Sequence, residues 1–107
     1  MSYEYEINLK NISDLNAVLD AFQDVSLASG ISCFKDFGVI YIKDPNIFSS
    51  WKYDVAIFSK EAHLEISLVG WSSRLYGVFK RVLGGLDFNI IDDDLEEEIT
   101  LEEMFRI

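Results

Sequence analysis

The chain carries one histidine, His63, and one cysteine, Cys33, the side chains most suited to acid–base and nucleophilic work. A nucleophilic cysteine needs thiolate character, supplied by an adjacent base or a helix N-terminus. Nothing local supplies either to Cys33, which follows the first expected helix in a loop or at the start of a strand. A buried structural cysteine is the simpler reading. Cys33 with His63 also falls short of the four nitrogen or sulfur ligands that structural zinc takes. His63 is better considered with acids. Asp54 on the preceding expected strand and Glu65 two residues along bring carboxylates toward the same sheet face. Such a histidine is solvated and tuned by its neighbours, or hydrogen-bonds a partner. With no nucleophile or oxyanion site beside it, it does not make an enzyme.

Asp92-Asp93-Asp94 and Glu96-Glu97-Glu98 form the densest charge in the sequence. They lack the spaced oxygen ligands and the glycine of an EF-hand loop, and adjacent acids diverge on a strand or a helix. The expectation is a solvated acidic face or a charged contact with a basic partner, with no metal and no cofactor. Gly84-Gly85 follows a helix instead of joining a strand to one, so it ends that helix and does not cradle phosphate. Lys80 and Arg81 complement the negative end of the same helix, with the acidic tail as a further candidate for them.

The elements that position these residues follow from two periods. Tyr3, Tyr5, Ile7 and Leu9 alternate with Glu4, Glu6 and Asn8, the pattern of a half-buried strand. Ile12, Leu15, Val18, Leu19, Phe22 and Val25 then fall on one helical stripe, capped by Asn11 and stopped at Gly30. A second strand is expected over 37–43, broken by Asp44-Pro45-Asn46, and a third over 51–59 with Trp51, Tyr53, Val55 and Ile57 on one face. A turn at Lys60-Glu61 leads to a fourth strand with Ala62, Leu64, Ile66 and Leu68 inward and His63, Glu65 and Ser67 outward. Ser72 or Ser73 caps a second helix whose buried stripe is Trp71, Leu75, Val78, Phe79, Val82 and Leu83. A short strand through Phe88, Ile90 and Ile91 follows. Thr100 and Glu103 have capping-box spacing, so a short terminal helix docks through Leu101, Met104 and Phe105. Phe34, Phe48, Trp51, Tyr76 and Phe88 are the aromatics least constrained by these stripes.

This order predicts an α+β fold: a two-layer ferredoxin-like sandwich with an additional strand and a short C-terminal helix. The sheet is expected to be mixed, with four or five strands, both main helices on one face and the other face open. The first strand–helix–strand step is expected to be a right-handed parallel crossover. Residues 1–107 make one domain, with the acidic segment 92–107 packed against it.

Nine basic and nineteen acidic side chains give a net charge of −10, of which −7 lies in residues 92–107. Such a field repels a phosphate backbone and attracts a basic protein. One cysteine excludes an intrachain disulfide, the opening Met-Ser-Tyr-Glu-Tyr-Glu lacks signal-peptide character, and no apolar run reaches bilayer length. A cytoplasmic protein without nucleic-acid or membrane contacts is expected; its homo-oligomeric state is not encoded in any motif.

In size, acidity and organisation, and most conspicuously in Asp92–Asp94 and Glu96–Glu98, the chain resembles the small acidic immunity proteins of bacterial toxin–immunity systems, including contact-dependent growth inhibition. The resemblance implies an antitoxin that binds and neutralises a cognate toxin domain, often a nuclease, in the producing cell. Read on the residues, the partner-binding set is Glu4, Glu6, Asp54, His63 and Glu65 on the open sheet face, with Asp92, Asp93, Asp94, Glu96, Glu97 and Glu98 in the tail. A non-catalytic subunit of another complex is the alternative. A small ferredoxin-like enzyme comes third, because it requires an apolar pocket and an acid–base pair for which His63 with Asp54 is the only nominee.

Overall fold

Alternation in the first residues builds a central strand. In the computed structural model, which describes residues 2–107, β1 (Tyr3–Leu9) buries Tyr5, Ile7 and Leu9 and turns Glu4, Glu6 and Asn8 the other way. The period then changes to a 3-10 turn (Ile12–Asp14) leading into α1 (Leu15–Ala28). Asn11 Oδ1 accepts from the Ser13 amide at 3.2 Å and so caps this entry, while Asp14 makes no side-chain cap bond. The side chain of Ile12 lies outside the described residues. The chain continues through β2 (Ser32–Asp36), β3 (Val39–Lys43), β4 (Val55–Lys60) and β5 (His63–Leu68). It closes with α2 (Ser73–Leu83), β6 (Phe88–Asp92), β7 (Glu97–Ile99) and α3 (Leu101–Met104).

The architecture is α+β, with one seven-stranded sheet in the order β2-β3-β4-β5-β1-β6-β7 and every neighbouring pair antiparallel. This corrects the expected mixed sheet of four or five strands. The two extra strands are β2 and β7. Phe37 and Gly38, both at positive φ (50° and 79°), make a two-residue turn that folds 32–43 into a hairpin; glycine tolerates this backbone, phenylalanine rarely adopts it. The strand expected from Phe37 therefore starts at Val39, and Cys33 lies inside β2. The third expected strand begins later than Trp51, at Val55, and the β4–β5 turn is Glu61-Ala62, one residue on from the expected pair. The strand directions make β1 and β2 parallel, with β3, β4 and β5 between them, and β5 and β6 parallel around β1. Both main helices thus sit in split crossovers.

α1 and α2 pack on each other, with Phe22 and Phe79 edge-on at 4.8 Å between ring centroids. Phe105, just after α3, adds a further edge contact to Phe79 at 5.0 Å. Opposite them the sheet contributes fully buried Ile7, Ile42, Ile57, Leu64, Ile66 and Ile90. Each such side chain contributes about 1.5–3 kcal/mol on leaving water. Ser72 caps α2 by accepting from the Leu75 amide at 3.1 Å, and the Thr100–Glu103 capping box forms reciprocally.

One end of the sheet is fastened by buried charge. Asp54, fully buried, accepts from the Asp44 amide at 2.8 Å and from Lys43 Nζ at 3.1 Å. Asp44, also fully buried, accepts from Ser72 Oγ at 2.7 Å and from Arg74 Nη1 at 3.2 Å. Arg74 also donates to the Ser29 carbonyl, so the 44–54 loop, the α2 entrance and the α1 exit are tied together. Asp54 is therefore not a surface carboxylate beside His63, as alternation suggested. It sits by Val69 at the far end of the β4–β5 pair, where its side chain is consumed by donors.

Candidate interaction face

The strand register turns local alternation into rows that cross the sheet. On the face away from the helices, Phe34, Tyr41, Ala56, Ser67 and Glu4 stand side by side on five strands. Along the next row lie Phe58, Glu65, Glu6, Ile91 and Glu98. At the usual strand spacing each row is about 19 Å long. Together the rows carry their aromatics on β2, β3 and β4 (Phe34, Tyr41 and Phe58) and their acids on β5, β1 and β7 (Glu65, Glu4, Glu6 and Glu98).

The aromatic half is ordered by stacking. Phe34 lies nearly parallel to Tyr41 at 5.0 Å, and Tyr53, expected on the core side, packs against Tyr41 at 5.1 Å. Phe58 continues the strip, with Lys60 Nζ 5.7 Å from its ring centroid.

In the acidic half, His63 Nε2 lies 3.0 Å from Glu65 Oε1 and 3.2 Å from Glu6 Oε1. Asn8 Nδ2 donates to the other Glu6 oxygen at 3.0 Å. Glu4 Oε1 accepts from Ser2 Oγ and Ser67 Oγ. The start of the β6–β7 turn joins this group, since the Asp93 amide donates to the Glu4 carbonyl at 3.2 Å. Partial desolvation, followed by the charges of Glu65, Glu6, Glu4 and Asp92, raises the Asp93 carboxyl above its ordinary value. Two carboxylates, Glu6 and Glu65, thus converge on one imidazole, with Glu4 and Asp93 on the same face beyond them.

The sign of that shift gives a test. Asp93 holds its proton more tightly when folded, so its contribution favours the fold in acid and is lost as pH rises through the folded titration. The melting-temperature difference between Asp93→Asn and the parent should therefore favour the variant more at about pH 7 than at about pH 3, below the ordinary aspartate range. A difference that does not change with pH would count against crowding of these carboxylates.

The remaining tail acids separate. Asp92 Oδ1 accepts from the Asp94 and Leu95 amides and shapes the turn. Asp92 and Asp94 line a cavity of about 380 Å³ with Tyr3, Tyr5, Glu103 and Arg106 on another side of the molecule. Arg106 covers Trp71 there at 4.5 Å. Glu98 stays on the open face, whereas Glu97 faces with Asp92 and Glu96 is exposed in the turn. The tail is a hairpin arm with its charges divided, not one acidic patch. Lys80 and Arg81 do sit in the last turn of α2; the tail group reached from this helix is Glu102, whose carboxylate accepts from Tyr76 OH at 2.6 Å and is lowered first by that bond.

Cys33 and His63 lie on opposite faces: Cys33 pairs with buried Ile42, while His63 pairs with Lys60 and Asn8 on the open side. Burial also pushes the Cys33 thiol up, the reverse of nucleophile activation. Two further cavities of about 410 and 330 Å³ lie around the α2 C-terminus and the β1–β6 ends, and neither is lined by His63 or Cys33. No described helix is long and apolar enough to cross a membrane. Sequence reasoning named Glu6 but not its approach to His63, and did not single out Phe37, 99% exposed at the β2–β3 turn. No family model, curated protein or solved structure matches this chain.

Proposed function

We propose that this chain is a cytoplasmic immunity protein that binds and neutralises a basic toxin domain through its open sheet face. The observation that carries the reading is the juxtaposition of Glu4, Glu6, Glu65 and Asp93 with the Phe34–Tyr41–Tyr53 stack on one surface. Complementary charge accelerates encounter, and desolvated aromatics beside it supply affinity after contact. A nuclease is the favoured target, because a cleft that attracts a polyanion is itself basic. The fold is read as an expanded ferredoxin-like sandwich in which a four-stranded meander replaces a simple hairpin between the two split crossovers. The role is inhibitory and not catalytic. His63 has carboxylates but no nucleophile beside it, and the cavities lie elsewhere.

Phe37 and Phe48, 99% and 98% exposed on either side of β3, support a second reading as a fixed subunit with more than one apolar contact. Co-expression separates the two. The chain should form a 1:1 complex with a basic toxin domain encoded beside it and restore growth to cells producing that domain. Binding with no protection would favour the subunit reading. Neither binding nor protection by a folded chain would reject the inhibitor.

A further inference from the structure

The acidic half of the open face contains a convergence that partner capture does not require. Two carboxylate oxygens, from Glu6 on β1 and Glu65 on β5, aim at the same ring nitrogen of His63. That nitrogen carries at most one proton, and one proton cannot serve two acceptors well. A divalent cation in its place would accept from all three atoms.

We propose that Glu6, His63 and Glu65 form a binding site for a single first-row divalent transition ion, with zinc the best-suited probe. In a tetrahedral zinc site, bonds of about 2.0–2.1 Å separate ligand atoms by roughly 3.3 Å. The His63 Nε2 separations of 3.0 and 3.2 Å are within a few tenths of that edge, and all three ligand atoms lie within 4.8 Å of one another. Small side-chain adjustments therefore suffice.

The site rests on more than a collection of acids. One ligand is an imidazole, two adjacent strands hold all three in fixed register, and Asn8 orients Glu6 by donating to its second oxygen at 3.0 Å. All three side chains are partly buried, at 17–31% exposure, so solvent reaches the cluster and water would be the fourth ligand. One nitrogen and two carboxylate oxygens suit zinc or a neighbouring transition ion. Calcium instead takes six to eight oxygens, and magnesium demands an octahedron of them.

Titration calorimetry on chelator-stripped protein, with zinc chloride and no partner present, tests this directly. One equivalent of zinc should bind. His63→Ala should weaken it about 100-fold and Glu6→Gln or Glu65→Gln about tenfold each, while calcium and magnesium give no saturable heat. His63→Gln, which preserves side-chain bulk, provides a second variant should the alanine variant unfold. Ring-nitrogen NMR should show zinc moving the Nε2 resonance of His63. Absence of saturable zinc binding, or binding that survives loss of His63 or is matched by calcium, would overturn the assignment. Because no toxin enters the measurement, its failure leaves the inhibitor reading standing, and failure of that reading leaves the metal site standing.

Discussion

Asp54→Ala is expected to lower stability by about 2 kcal/mol, the cost of leaving a buried backbone donor without its acceptor. On a domain of this size that corresponds to a fall of roughly 10 °C in melting temperature. The substitution removes the acceptor of the Asp44 amide and of Lys43 Nζ together. Lys43 is partly exposed and can turn to water, so the uncompensated loss falls on the Asp44 amide and the 44–54 loop. Gly70→Ala should be destabilising through the same carboxylate, because a Cβ there would lie 2.6 Å from Asp54 Oδ1. Chemical denaturation of both variants, with exposed Glu97→Gln as a surface control, checks the assignment. If Asp54→Ala melted with the parent and lost only partner binding, Asp54 would return to the interaction surface.

The second large effect concerns rate. Replacing Glu4, Glu6 and Glu65 by Gln and Asp93 by Asn should slow association with a basic partner about 30-fold at low ionic strength, with a smaller change in dissociation. The difference should shrink as salt rises, because exposed charges are screened within about 10 Å at 0.1 M. Neutralising Asp94, Glu96 and Glu97, which lie off this face, should slow association much less. Stopped-flow measurements across a salt series, with a chelator present to exclude bound metal, compare the two variants. Equal effects would place steering in the overall charge. An unchanged, salt-insensitive rate for both would move the interface to the aromatic half or to the exposed Phe48 loop.

Residues whose structure is decided locally were legible in the sequence. The β1 and β5 alternations, the α2 stripe with its Ser72 cap, and the Thr100–Glu103 box all depend on neighbours a few positions away. β2 escaped because an edge strand with four exposed residues shows no buried period, and because its turn places Phe37 in a backbone region that sequence rules reserve for glycine or asparagine. β7 is only three residues long and consists mostly of acids. Asp54 was misplaced for a different reason: its donors come from Lys43 and Asp44, and a charged residue is read as exposed until such partners are known. The site was half legible. Alternation put His63 and Glu65 on one face, but the approach of Glu6 depends on the register of two strands almost sixty residues apart in the chain.

The outer rim formed by β7 has a consequence for solubility. An open sheet ends in unpaired backbone donors and acceptors, which invite another strand and, repeated, aggregation. Here that rim is only Glu97–Ile99, and the chain leaves it at once for the capped α3. An antiparallel copy arriving there would set Glu98 against its own counterpart or Glu97 against Glu98, a like-charge contact with few backbone bonds to offset it. The opposite rim, β2, offers five residues but interposes exposed Lys35 and Asp36 and bends away at the Phe37-Gly38 turn. The glutamates of β7 therefore act as gatekeepers, protecting a folded sheet from extending itself into a fibre.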